Sequence, residues 1–165
     1  MSFSRILPGS RVFIATNVLI YHRSGKSPQC TDLLTQCADG NVTAFVSTVV
    51  LAEYSHRMMM IECYARGLTA SNPAKAMSAR PELVRSLVSY ADDVRELLDG
   101  GLVIEPVVAL DCHVALELQS RFGLLTNDSL NLAVARRLGI SDLATADSNF
   151  DQVHGIVVHR PSDVG

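Results

Sequence analysis

Three acidic residues, Glu53, Asp128 and Asp147, have the clearest capacity for chemistry in this sequence. Asp128 falls in the first turn of a predicted helix, where the helix dipole favours a carboxylate. Asp147 falls just after a predicted strand, where open α/β sheets place ligand-binding groups. Clusters of carboxylate oxygens suit Mg²⁺ or Mn²⁺, which keep water ligands for substrate phosphates. Taken alone, however, an Asp at a helix start and an Asp in a turn are ordinary structural features.

The elements around these acids determine whether their side chains meet. Arg11–Ile14 is a short apolar run with β-branched and aromatic residues, which predicts a buried strand. Apolar residues at helical spacing predict a helix over about 127–138, followed by a short strand near 143–145. Ser47 is the predicted N-cap of a long helix that carries Glu53.

Strands and helices alternate along the rest of the chain. Further strands are predicted at Val42–Val46, Leu102–Ile104 and, at the sheet edge, Ile156–His159. Further helices are predicted after Thr16 or Asn17, from Pro28 to Gly40, from Asn72, from Pro81 to Asp99 and from Leu110 to Phe122. Because helical crossovers join parallel strands, this order predicts a three-layer α/β/α domain with a central, mostly parallel sheet. We expect one domain over residues 1–165, with a core of about 11–159.

Parallel pairing would bring the acids to one edge of the sheet. If the first strand and the strand near 143–145 are neighbours, position 15 and Asp147 emerge side by side. Glu53, two turns into its helix, leans over the same edge, and Asp128 arrives from its own helix start. The sequence therefore predicts an oxygen-rich cluster. An alternative for Glu53 is an exposed ion pair with Arg57, four residues on.

Composition limits the class of protein. A hydrophobic content of 48% and a mean hydropathy of +0.22 are typical of a globular chain rather than a disordered one. No apolar run approaches the ~20 residues that span a bilayer, so we expect a cytoplasmic protein without a membrane partner. The net charge of −3 disfavours nucleic-acid binding by bulk electrostatics. A nuclease could still show this charge, because its metal offsets a carboxylate cluster locally.

Three segments together resemble the PIN domain, and in particular the VapC-type toxin ribonucleases. The segments are VFIATNVLIY, STVVLAEYSHRM and NDSLNLAVARRLGISDLATADSNF. They carry a Thr-Asn-Val-Leu-Ile sequence after the first strand and three further motifs, formed by Ser47 with Glu53, by Asp128 with Gly139, and by Thr145 with Asp147 and Phe150. The resemblance runs from Arg11 to about His159. Each motif is weak alone, but four in order with the family's spacing make a strong match.

The resemblance implies an endoribonuclease that depends on Mg²⁺ or Mn²⁺ and hydrolyses RNA phosphodiesters. It assigns catalysis and metal binding to Asp147, Asp128 and Glu53, with a further ligand at position 15. It assigns supporting roles to Asn17, Thr145 and Ser47, although local capping is an equally good explanation for Asn17 and Thr145. Expected partners are an RNA substrate, a cognate antitoxin contacting residues 57–96, and a second copy of the chain.

Position 15 departs from the family pattern, because the family has a metal-binding Asp where this chain has Ala15. Alanine offers no oxygen, so metal affinity and turnover should fall sharply, and we expect this chain to be inactive or weakly active. One explanation is an inactivated variant of an active parent. The other is natural loss of catalysis, which would leave a scaffold that binds RNA or protein. Because every other motif residue is retained, we favour the inactivated variant.

Four cations are candidates for an RNA path beside the acidic cluster. They are Arg23, Lys26, Arg57 and Arg66. A solvated charged face is the alternative, and it is the commoner arrangement for such residues.

Overall fold

Five parallel strands form a single sheet in the computed structural model, which describes residues 1–164. The strands are β1 (Arg11–Ile14), β2 (Thr43–Ser47), β3 (Val103–Glu105), β4 (Asp142–Ala144) and β5 (Val157–His159). They lie in the order β3-β2-β1-β4-β5, and each neighbouring pair is parallel. The predicted α/β fold with a central parallel sheet is confirmed, and β5 lies at the edge as expected.

Eight α-helices connect or follow these strands in residues 1–164. They are α1 (Thr16–Arg23), α2 (Pro28–Ala38), α3 (Thr48–Ala65), α4 (Pro73–Ala79), α5 (Pro81–Ser86), α6 (Ser89–Asp99), α7 (Ala109–Phe122) and α8 (Thr126–Arg137). Ser27 and Ser47 cap α2 and α3 through their side chains, as predicted. No helix in this part of the chain has the length and apolar character needed to cross a bilayer.

The centre of the sheet is the most buried part of the chain. Val12, Phe13 and Ile14 on β1 are fully buried, which fits a strand covered on both faces. Ile14 pairs with Ala144, so β1 and β4 end at the same level. The Ala15 N–H continues this pairing by donating to the Ala144 carbonyl at 3.0 Å. The residues that follow β1 and β4 therefore lie next to each other at the same edge of the sheet.

The prediction of one helix from Pro81 to Asp99 is wrong, because the helix is broken between α5 and α6. The cause is Glu62 on α3, whose buried carboxylate accepts hydrogen bonds from the N–H groups of Val88 and Tyr90, both at 2.9 Å. Arg66 pairs with the same carboxylate at 3.1 Å. Burial acts to raise the pKa of Glu62, but these hydrogen bonds outweigh it and hold the pKa below its ordinary value.

Glu62 should therefore stabilise the fold. We expect Glu62→Gln to lower the free energy of unfolding by about 1–2 kcal/mol at pH 7, because an amide accepts these bonds less strongly. A lowered pKa gives stability that is present above the unfolded-state pKa and is lost as pH falls through the folded-state pKa. The difference between the two proteins should thus shrink in acid. Urea unfolding measures it, with Glu117→Gln on the exposed face of α7 as the control; equal losses in both variants would contradict this role.

Two short 3₁₀ elements complete the secondary structure of residues 1–164. A 3₁₀ helix, Ser148–Gln152, follows β4, and another turn of 3₁₀ helix covers Phe3–Arg5. Neither was predicted, since such short runs carry no clear hydrophobic period. The cysteines are free thiols, and those at positions 30, 37 and 63 are buried, whereas Cys112 on α7 is exposed and does not belong to the core.

Candidate active site

A cleft of about 410 Å³ opens where β1 and β4 end. Its walls include the predicted site residues Ala15, Asn17, Glu53, Asp128, Thr145 and Asp147. Ser47 does not line the cleft. Its buried hydroxyl donates to Asn131 Oδ1 and caps α3, and Asn131 itself lines the cleft. The structure thus brings the three predicted carboxylates to one cavity, with Ala15 beside them.

Asn17 and Thr145 form a hydrogen-bonded support for the chain on either side of Asp147. Asn17 Nδ2 donates to Thr145 Oγ1 at 3.1 Å, and Asn17 Oδ1 accepts from the Ala146 N–H at 3.0 Å. Thr145 Oγ1 in turn accepts from the Asp147 N–H at 3.1 Å. Asn17 does not cap α1, because Ala15 occupies the N-cap position. These contacts tie α1 to the segment that carries Asp147.

Glu53 is held in place by three neighbours. Its Oε2 accepts from the Thr16 hydroxyl at 3.1 Å and from Asn127 Nδ2 at 3.3 Å. Its Oε1 lies 4.0 Å from Arg57 Nε, so the ion pair considered from the sequence also forms, at the outer limit of such a contact. Both interpretations of Glu53 are therefore compatible: it lines the cleft and pairs with Arg57. Thr16, one of the two candidates for the helix cap, instead orients this carboxylate.

The surroundings of Asp128 in the cleft shift its pKa strongly upward. Burial, followed by the negative charges of Asp147 and Glu53, raises the pKa of Asp128 to about 6. A hydrogen bond from the Asn149 side chain opposes this shift. The three carboxylates therefore repel one another across the cleft, and a proton or a cation would relieve the repulsion.

The carboxylates match a hard divalent cation in chemistry, but they make an incomplete set of ligands. Their donors are all oxygen and carry negative charge, which suits Mg²⁺ or Mn²⁺. Within residues 1–164, however, no group of three or more His, Cys, Asp or Glu side chains is arranged to hold a metal ion. Ala15 supplies only a methyl group to the same cleft. The residues present thus fit a cation site that lacks part of its ligand shell.

Only part of the predicted cationic path faces the cleft. Arg23 pairs with the buried carboxylate of Asp93, and Arg66 is committed to Glu62. Arg57 lines the cleft, and Lys26 Nζ lies 4.6 Å from the ring centre of Tyr21, another lining residue. Of the four candidate cations, Arg57 lines the cleft and Lys26 contacts a residue that lines it.

Two residues next to Asp147 were missed by sequence reasoning. Asn149 donates to the Asp147 carboxylate through its backbone N–H at 2.8 Å and through Nδ2 at 3.3 Å, and it also reaches Asp128. Its position two residues after an Asp in a turn was an available signal. Arg160 donates to the Asp147 carbonyl at 2.8 Å. No signal in the sequence links Arg160 to a turn 13 residues earlier.

Comparisons with known proteins place this geometry in a family. Residues 12–156 match the family described as the PIN domain. No curated protein matches the chain. Similar solved structures include VapBC2 from Rickettsia felis bound to a promoter DNA fragment, with a TM-score of 0.61 and 17% identity over 91% of this chain and 98% of that one.

Two further structures show the same fold. A toxin–antitoxin complex from Klebsiella pneumoniae has a TM-score of 0.58 and 16% identity over 88% of this chain and 95% of that one. Mycobacterium tuberculosis VapC20, a toxin that cleaves the sarcin-ricin loop, has a TM-score of 0.58 and 17% identity over 87% and 95%. At these identities the likeness establishes the fold, and the match over residues 12–156 establishes the family. The chain belongs to the PIN-domain family.

Proposed function

We propose that this chain is a form of a metal-dependent endoribonuclease toxin that hydrolyses RNA phosphodiesters when Asp occupies position 15. The observation that carries the proposal is that Glu53, Asp128 and Asp147 line one cleft, where the negative charges of Glu53 and Asp147 raise the pKa of Asp128. Three separate elements of a PIN fold supply these acids. A similar structure, VapC20, is a toxin that cleaves the sarcin-ricin loop, which supports RNA as the substrate class.

The cleft residues have distinct tasks in this proposal. Asp147, Asp128 and Glu53, with an Asp at position 15, would hold Mg²⁺ or Mn²⁺. When bound, the ion would activate water for in-line attack on a phosphodiester and offset the charge that develops on the phosphate.

The surrounding side chains keep those carboxylates in place. Asn17 and Thr145 fix the backbone at Asp147, while Thr16 and Asn127 direct Glu53. Such supporting hydrogen bonds orient metal ligands and strengthen binding. Arg57, which lines the cleft, would attract the RNA backbone.

Ala15 makes this chain inactive or weakly active in the proposal. Relative to Asp, Ala15 lacks the carboxylate oxygens and the negative charge. In the proposal, the retained acids and their supporting hydrogen bonds favour an inactivated variant of an active parent. The alternative is a PIN module without catalysis that binds RNA or protein as a scaffold. Ala15 itself, with no complete group of metal-binding side chains in residues 1–164, is the observation in its favour.

We further propose a cognate antitoxin as partner, a homodimer, and a cytoplasmic location. Two of the similar structures are toxin–antitoxin complexes. In the predicted contact region, residues 57–96, α3 exposes Ile61, which lines the cleft, and Tyr64, which lies further along the helix. Exposed apolar side chains beside an active site are suited to a protein partner.

One comparison tests the proposed function: cleavage of structured RNA in Mn²⁺ by this chain and by Ala15→Asp. A gain of cleavage with the substitution supports the nuclease. A folded Ala15→Asp protein that binds RNA or a partner without cleaving would support the scaffold.

A further inference from the structure

Arg160, immediately after β5, contacts the turn that carries Asp147. Its Nη2 donates to the Asp147 carbonyl at 2.8 Å and lies 2.8 Å from Asp151 Oδ1. Both acceptors belong to the segment that begins at Asp147 and continues through the 3₁₀ helix Ser148–Gln152. One guanidinium therefore connects Asp147, at the start of this segment, with Asp151, the fourth residue of the 3₁₀ helix.

The backbone of Arg160 is itself well anchored. Its N–H donates to the Met1 carbonyl at 2.6 Å, and it forms a parallel bridge with Ser2. The preceding residue, His159, is buried and its Nε2 lies 2.6 Å from Asp142 Oδ1 on β4. The His159 carbonyl also accepts from the Thr145 N–H at 3.0 Å. Arg160 thus has a fixed position relative to the strand that leads to Asp147.

The two contacts of Arg160 differ in strength. Asp151 is 61% exposed, and ion pairs between exposed groups contribute little. The Asp147 carbonyl is partly buried and receives a charge-assisted hydrogen bond, which is the stronger kind. We therefore expect the hydrogen bond to the Asp147 carbonyl to contribute most of the restraint that Arg160 places on the turn, and the ion pair with Asp151 to contribute less.

We propose that Arg160 is a positioning residue for Asp147. The Asp147 N–H is held by Thr145 Oγ1 and its carbonyl by Arg160, so the peptide groups on both sides of this residue are fixed. This fixes the direction in which the Asp147 carboxylate enters the cleft beside Asp128. A catalytic role for this orientation of Asp147 rests on the proposed function. The restraint of the turn by Arg160 does not depend on that function.

Backbone amide hydrogen exchange, followed by NMR on the full chain, tests the restraint. Two amides report on the turn: Asn149 N–H, which donates to Asp147 Oδ1, and Val153 N–H, which donates to the Phe150 carbonyl. We expect exchange at both to be about tenfold faster in Arg160→Met, because loss of a charged donor frees the Asp147 carbonyl. Arg160→Lys, which keeps a donor, should restore part of the protection.

Two controls separate positioning from general stability. Asp151→Asn should change exchange in the turn by less than Arg160→Met, and Arg95→Met, which breaks an exposed ion pair on α6, should leave the turn unchanged. Unchanged exchange at Asn149 and Val153 in Arg160→Met would overturn the proposal. Equal acceleration in β1 and β2 would also overturn it, because that pattern shows loss of the whole fold.

A second measurement uses the Ala15→Asp protein. Arg160→Met in that background should raise the Mn²⁺ concentration for half-maximal cleavage about tenfold, as loss of a ligand's support does, while KM for RNA stays the same. If the Mn²⁺ concentration for half-maximal cleavage is unchanged, the positioning role of Arg160 is overturned, while the proposed nuclease function still stands. If Ala15→Asp does not cleave RNA, the proposed function fails, and hydrogen exchange alone decides the restraint.

Discussion

Replacing Ala15 by Asp is expected to raise the rate of RNA cleavage in Mn²⁺ on the order of a hundredfold or more, because in the proposed function the new carboxylate supplies a direct metal ligand. The backbone at position 15 is already fixed by the hydrogen bond from its N–H to Ala144 at the end of β4. Its side chain faces the cleft that Asp128 and Asp147 line. The added carboxylate therefore enters without rearrangement of the fold.

Matched substitutions distinguish a metal ligand from a change in shape. Ala15→Asn has nearly the size of Asp but no charge, so it should recover little cleavage. Asp147→Asn added to Ala15→Asp should remove the gain again. Cleavage is measured with a labelled RNA hairpin over a series of Mn²⁺ concentrations, with EDTA as the blank. Equal cleavage by the Asn and Asp variants would contradict a role in metal binding.

Asp128→Asn is expected to stabilise the metal-free chain by about 2 kcal/mol at pH 7.5 and to have little effect near pH 4. The pKa of Asp128 is raised from 3.8 to about 6 in the folded protein, chiefly by burial. Between these values the folded state binds an additional proton. The carboxylate therefore costs no stability below the unfolded-state pKa, and its full cost is present above the folded-state pKa. An amide avoids this cost and still accepts from Asn149.

Urea unfolding in EDTA at the two pH values measures this difference. Asp32→Asn, at an exposed position of α2, is the control and should have a small effect at both. The same stability gain at pH 4 and pH 7.5 would contradict the ionisation argument. Lower stability of Asp128→Asn at both pH values would show that this carboxylate contributes through hydrogen bonds instead.

The parts of the fold that depend on local sequence could be predicted. The apolar run Arg11–Ile14 defines a central strand, and Ser27 and Ser47 begin helices because their hydroxyl groups satisfy free N–H groups. The break between α5 and α6 could not be predicted, because its cause is the carboxylate of Glu62 on another helix. An apolar pattern continues through the break, and a contact across 26 residues leaves no local period.

For the candidate site, the sequence was enough to predict which acids come together, but not which neighbours hold them. Parallel pairing of β1 and β4 was enough to bring positions 15 and 147 to one edge. The partners that orient the acids depend on side-chain directions, which strand and helix patterns do not specify. Thr16 or Asn17 was expected to cap α1, but Ala15 occupies the N-cap position and Thr16 donates to Glu53. Arg160 reaches Asp147 from beyond β5.

The strand order has a consequence for how the protein tolerates change. From β1 the chain proceeds to β2 and β3 on one side, and it later returns to β4 and β5 on the other. A crevice opens at such a reversal because of the connectivity of the backbone. Its existence therefore does not depend on any one carboxylate. In the proposed function, single substitutions would therefore remove or return the chemistry, while the recess itself persists.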